Sequence, residues 1–159
     1  MEYLDLYNER KEKIGKTILR GTEVPLGYYI MICIVFIENS EGKFLFQYTS
    51  KEKGSIWATT GGHVKSGDDA LTTAVIEVKE ELGIKLDKNK LKHVFTGIKN
   101  DRILEVFYIK QDIDIESLTL QKEEVESVKW LSKDELKELI NQDNVRKINI
   151  QLLIDLGLI

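Results

Sequence analysis

Three carboxylates stand close together in one stretch of this chain. In the segment Gly61 to Ile84, GGHVKSGDDALTTAVIEVKEELGI, residues Glu77, Glu80 and Glu81 are spaced i, i+3 and i+4. On a helix advancing about 100° per residue they share one narrow face. Like charges crowded there repel, at a cost of about a few tenths of a kcal/mol per exposed pair. A cluster of hard oxygen ligands suits Mg²⁺ or Mn²⁺. The plainer reading is the solvated acidic face of a surface helix, and helix geometry alone does not separate the two.

The element that must carry these groups is a helix from about Asp69 to Leu82, stopped by Gly83. Leu71, Ala74, Val75, Val78 and Leu82 form a neighbouring apolar stripe, which would face the core. Ahead of it, Tyr28 to Ile37 (YYIMICIVFI) is β-branched and aromatic and reads as a central strand. The turn NSEG at Asn39 to Gly42 and the run Lys43 to Tyr48 predict a second strand paired with the first as a hairpin. Ser55 to Thr60 reads as a short strand carrying Trp57.

Beyond the helix, strands are expected near Leu91 to Ile98 and Ile103 to Ile109, with Asn100-Asp101 as the turn, and again at Val125 to Leu131. Ser132 and Glu135 have the spacing of a capping box, and a last helix is expected from about Asn144 to Leu156. Tyr3 to Ile18 reads as a short hairpin, separated from the rest by Pro25 and Gly27. The order predicts an α/β fold with a mixed sheet sandwiched between helices. At 159 residues one domain is expected, with a hairpin-like extension over about residues 1–27.

Composition narrows the partners. The net charge of -4 argues against a nucleic-acid polymer, while a small anionic substrate stays open if a metal ion supplies local positive charge. No run is long and apolar enough to predict a membrane span, and the charged start MEYLDLYNERKEKIG does not read as a signal peptide. The lone Cys33 lies in an apolar run and reads as a buried small hydrophobe, and the composition fits the cytoplasm.

Read from Gly62, the segment resembles the Nudix box, G-x5-E-x7-R-E-U-x-E-E-x-G-U, where U is bulky and aliphatic. Gly62, Glu77, Val78, Glu80, Glu81, Gly83 and Ile84 match in one register. The resemblance extends to Trp57 just ahead and to EEVESVKWLSKDEL near the end, and covers most of residues 28 to 140. Two positions depart from it. Asp68 stands where the box has glutamate and keeps the charge. Ile76 stands where the box has arginine, the residue expected to hold the glutamates in place.

A resemblance to the Nudix (MutT-like) hydrolases implies a Nudix-type α/β/α sandwich. It also implies a Mg²⁺- or Mn²⁺-dependent hydrolase that cleaves a diphosphate linkage in a nucleoside diphosphate derivative or related compound. It assigns Glu77, Glu80 and Glu81 as metal ligands or general base, with the Gly61 carbonyl as a further ligand. Glu124 and Glu123 are candidates for a base outside the box, and Glu105 lies in a strand. Gln47, Trp57, His63 and Glu124 are candidate substrate contacts, with core packing the plainer reading of Trp57 against stacking on a base, a surface position that of His63 and solvated loop charge that of Glu124, whereas His93, Lys51 and Lys53 read as structural or surface residues. The family also makes a homodimer an expectation.

Two other readings compete. The loss of the box arginine at Ile76 leaves room for a non-catalytic or weakly active nucleotide-binding or regulatory domain. An isopentenyl-diphosphate isomerase-like enzyme would need a cysteine just before the helix. That segment reads ATTGGHV, and Cys33 lies in a different strand.

Overall fold

The computed structural model describes residues 1–159. Strands β1 (Tyr3–Tyr7) and β2 (Lys13–Leu19) pair antiparallel as the expected hairpin. Leu4 and Leu6 bury themselves against Ile30, so the hairpin packs on the start of the main sheet through a small cluster of its own.

Strand β3 (Ile30–Glu38) is the axis of that sheet. It runs parallel to β8 (Arg102–Lys110) over its full length, from Ile30↔Arg102 to Glu38↔Lys110, and β8 pairs antiparallel with β7 (Lys92–Lys99). Both faces of β3 are buried, which accounts for its continuous apolar run. Cys33, Val35 and Ile37 point to one core, shared with Ala74, Val78 and Leu82 of helix α1 (Ala70–Leu82). Ile34 and Phe36 point to a second core. That one is shared with Leu136 of α2 (Lys133–Leu139) and Ile150 and Leu153 of α3 (Lys147–Asp155). The result is a mixed sheet between helical layers, an α/β/α sandwich.

The expected hairpin of β3 with β4 (Phe44–Thr49) is only a root. Their ladder retains one pair, Glu38↔Phe44, and then the strands part. The fork is filled by residues 57–63. There β5 (Trp57–Ala58) pairs with β4 through Gln47↔Ala58, and β6 (Gly61–His63) pairs with β3 through Cys33↔Gly62. On its other edge β4 takes β9 (Val125–Leu131). Hairpin spacing fixes only the first pair. The competing partners lie far along the chain, which is why local sequence overstates this hairpin.

The caps agree with the sequence. Asp69 accepts a hydrogen bond from the Thr72 N–H at 2.7 Å at the start of α1, and Gly83 ends it with φ 72°. Ser132 and Glu135 close a reciprocal capping box on α2.

Candidate active site

The site lies where β3 and β4 separate. Gly61 and Gly62 are the two places in the fork where an added side chain would force something to move, backbone at Gly61 and the Glu77 side chain at Gly62. A Cβ on Gly61 would collide with the Cys33 carbonyl oxygen, and one on Gly62 would sit 2.8 Å from Glu77 Cδ. The double glycine thus lets β6 lie flush on β3 and lets the Glu77 side chain rest on the β6 backbone.

The three glutamates of α1 meet very different surroundings. Glu81 is buried at 6% exposure, Glu77 is half-buried and Glu80 is exposed. Burial pushes the Glu81 carboxyl up to about 8, against a Gln47 hydrogen bond that favours the charged form. Burial and the neighbouring Glu80 charge push Glu77 up to about 7. The face is therefore no ordinary solvated acidic surface, because the fold presses two carboxylates into a cleft. No three His, Cys, Asp or Glu side chains converge into a ready-made metal cage. The three side chains do not converge on one point, but they bring to one cleft the carboxyl oxygens that a divalent cation takes as ligands.

The cleft has a volume of about 760 Å³, within the usual range of ligand pockets. Gly61, Glu77, Glu80, Glu81, Gln47, His63 and Glu124 all line it. Gln47 is buried and accepts from Thr60 Oγ1 at 2.7 Å while its Nε2 donates to Glu81 Oε2 at 3.3 Å. Glu124 is tied to Lys53 at 3.5 Å, and the Ser50 N–H donates to the Glu124 carbonyl oxygen, pinning that loop to the end of β4. His63 is held down to about 4, first by burial and then by the charges of Arg20 and Arg102, so its imidazole is neutral at physiological pH.

Other candidates fall elsewhere. Trp57 does not line the cleft: its ring packs on Tyr48 at 5.1 Å between centroids and on the core beneath α3. Glu105 pairs with His93 at 2.8 Å, away from the lining. Cys33 borders the cleft but is fully buried, and burial pushes its thiol up to about 12, so it is no nucleophile near neutral pH. Ile76, in the box arginine's place, is 41% exposed.

The cleft also contains residues that motif reading passed over: Thr59, Thr60, Arg146 and Asn149. Asn149 offered a signal. It is a polar residue among the buried positions of an apolar helix, beside Ile150, Leu152 and Leu153. Thr59 and Arg146 offered none, because only tertiary pairing brings them here.

Together these features define a class of α/β/α protein in which a glycine loop and one helix present carboxylates at a split sheet. The NUDIX domain model matches residues 29–153, and the chain belongs to the Nudix family. It is a Nudix hydrolase, acting on phosphoric anhydrides. It is similar to an uncharacterized Nudix hydrolase of Listeria monocytogenes, 34% identical over 143 residues that cover 87% of this chain and 85% of the relative. It is also similar to Nudix hydrolase 3 of Arabidopsis thaliana, 28% identical over 162 residues, which span 90% of this chain but 21% of that protein. A crystal structure from Deinococcus radiodurans superposes with a TM-score of 0.78 over 97% of this chain and 98% of the other. At 22% identity it speaks for the fold alone.

Proposed function

We propose that this chain hydrolyses a diphosphate linkage in a small nucleotide-like substrate, with Mg²⁺ or Mn²⁺ held by Glu77, Glu80, Glu81 and the Gly61 carbonyl. The observation that carries the reading is the pair of α1 carboxylates pressed into the cleft, one resting on Gly62 and one buried beside Gln47. Such a pair costs stability until a cation offsets it, which is an arrangement a binding site tolerates and a plain surface helix has no reason to build.

When bound, a divalent ion would neutralise phosphate oxygens and acidify a water. The protein's own tasks are then positional. Gln47 fixes Glu81, the Gly62 backbone supports Glu77, and a glutamate not engaged as a ligand takes the water's proton. Glu124, held on its loop by Lys53 and Ser50, is the alternative base. Neutral His63 can exchange hydrogen bonds with substrate without adding charge. The net charge of -4 fits a small substrate met through a metal better than a nucleic-acid polymer. No helix is long and apolar enough to cross a membrane.

The test is a panel of nucleoside di- and triphosphates, nucleotide sugars, dinucleoside polyphosphates and CoA-type compounds, each with Mg²⁺, Mn²⁺ or excess chelator. Phosphate release that needs the metal supports the reading, and release that persists unchanged in chelator removes it. The exposed Ile76 favours one other reading, a nucleotide-binding module with little turnover. That reading requires a panel member to raise the melting temperature without being cleaved.

A further inference from the structure

Among the buried side-chain nitrogen and oxygen atoms of the protein, one lacks a hydrogen-bond partner: the Thr59 hydroxyl oxygen, on a residue 3% exposed that lines the cleft. An unpaired buried hydroxyl is destabilising, and valine would fill the same shape without that cost. The fold does not need the oxygen to fix this backbone. The Thr59 N–H already donates to Asn149 Oδ1 at 3.1 Å.

That bond uses the acceptor oxygen of Asn149, a residue that is itself 1% exposed and lines the same cleft. Arg146 lies three residues earlier, lines the same cleft and forms no ion pair. Its backbone N–H donates to the Trp57 carbonyl at 2.8 Å, and the Trp57 N–H donates to the Asn144 carbonyl at 2.9 Å. The start of α3 is thereby locked to the strand that leads into Thr59. No side chain caps this nine-residue helix, so its first-turn N–H groups meet no side-chain acceptor.

We propose that Thr59, Arg146 and Asn149 form a subsite for phosphoryl oxygens, which holds the substrate's diphosphate beside the α1 carboxylates. The proposal rests on the diphosphate-hydrolase reading above. The guanidinium, the Asn149 amide and the unpaired Thr59 hydroxyl can all donate, and with the helix start they select an acceptor-rich anion. The location is also suitable. Thr60, next to Thr59, donates to Gln47, and Gln47 donates to Glu81, so the donor set and the acidic set are two hydrogen bonds apart. An anionic diphosphate between them would complete the Thr59 hydroxyl's hydrogen bonding, while its charge meets Arg146 on one side and the carboxylate-held cation on the other.

Binding can be read without turnover by using α,β-methylene-ADP, whose bridging carbon blocks cleavage, with Mg²⁺ and the full chain. Calorimetric affinity and melting temperature would be measured for the wild type and for Thr59→Val, Arg146→Gln and Lys99→Gln, the last a lysine on the cleft rim outside the donor set. Thr59→Val should melt no lower than wild type without ligand, yet bind the probe about tenfold more weakly. Arg146→Gln should lose about tenfold or more, with Arg146→Lys recovering only part of it. Lys99→Gln should stay within about twofold. Adenosine, which lacks the phosphates, should not distinguish the variants. The proposal is overturned if the wild type does not bind the probe, if Thr59→Val and Arg146→Gln bind it as the wild type does, or if Lys99→Gln loses as much as Arg146→Gln. Absence of turnover on every panel compound, with probe binding still dependent on Thr59 and Arg146, would refute the hydrolase reading and leave the subsite standing.

Discussion

The two sides of the cleft are built in opposite ways. The acidic side comes from one helix, where Glu77, Glu80 and Glu81 are set by helical spacing alone. The donor side takes Gln47 from β4, Thr59 and Thr60 from the segment filling the fork, and Arg146 and Asn149 from the start of α3. Their costs differ in kind. On the acidic side burial works against charge, which pushes Glu77 up to about 7 and Glu81 up to about 8. On the donor side the cost is an unmet hydrogen bond at Thr59. A cation relieves the first and acceptor oxygens relieve the second, so a metal-associated phosphate suits both sides at once. The two sides thus carry opposite kinds of cost, one of buried charge and one of an unmet hydrogen bond.

The largest effect on the acidic side is expected from Gly62→Ala. The new Cβ would stand 2.8 Å from Glu77 Cδ, the far end of a flexible side chain. The fold should survive, because a carboxylate can swing aside more easily than a backbone. A displacement of about 1 Å at a reacting group costs roughly a hundredfold in rate. Circular dichroism should match the wild type while turnover falls by about that factor; full activity would show that Glu77 has no role at this position.

Next come Glu80→Gln and Glu81→Gln, which keep size and remove a negative ligand. Each should lower turnover at least about tenfold, equivalent to about 1.4 kcal/mol of barrier. Steady-state rates on a panel substrate decide it, and two fully active variants would show that the metal is held elsewhere.

The acidic side was largely legible from sequence because its information is local. The i, i+3, i+4 spacing, the Asp69 cap and the Gly83 stop all fall within one helix, and helical geometry turns them into a surface without help from the rest of the chain. The donor side was not legible for the converse reason. Thr59 and Asn149 are 90 residues apart and meet only because β5 and β6 fill the β3–β4 fork. The β3–β4 hairpin was overstated for the same cause, since the turn NSEG fixes Glu38↔Phe44 and says nothing of what inserts beyond it. Trp57 follows the plainer of its two readings, core packing and not base stacking, since β5 turns its ring onto Tyr48 and the core.

Smaller in energy is the pH dependence of stability without metal. The Glu81 carboxyl is raised in the folded protein from its ordinary 4.5 to about 8, so the folded state binds more protons between those values. Its contribution is full below about pH 4.5 and is lost as pH rises through about 8. Glu81→Gln, which cannot ionise, should match the wild type near the acid end. It should exceed it toward pH 8 by at least about 1 kcal/mol, or roughly 2–4 °C in melting temperature. Equal melting temperatures across that range would mean Glu81 is not strained in the folded state.

The smallest expected effect is at Ile76. Being exposed and four residues before Glu80, an arginine there could reach that carboxylate with a forked pair. Ile76→Arg should raise turnover a fewfold. Lower turnover together with weaker Mg²⁺ binding would instead point to a site already balanced by another cation, and Arg146 is in place for that, since its charge acts on Glu81.

The central claim is that the α1 carboxylates hold a divalent cation, and direct titration of Mn²⁺ into the purified protein tests it without reference to any substrate. The wild type should bind Mn²⁺ saturably and melt at a higher temperature when it does. Glu81→Gln should bind at least about tenfold more weakly, although without metal it is the more stable protein. Equal Mn²⁺ affinity in the two would contradict the account.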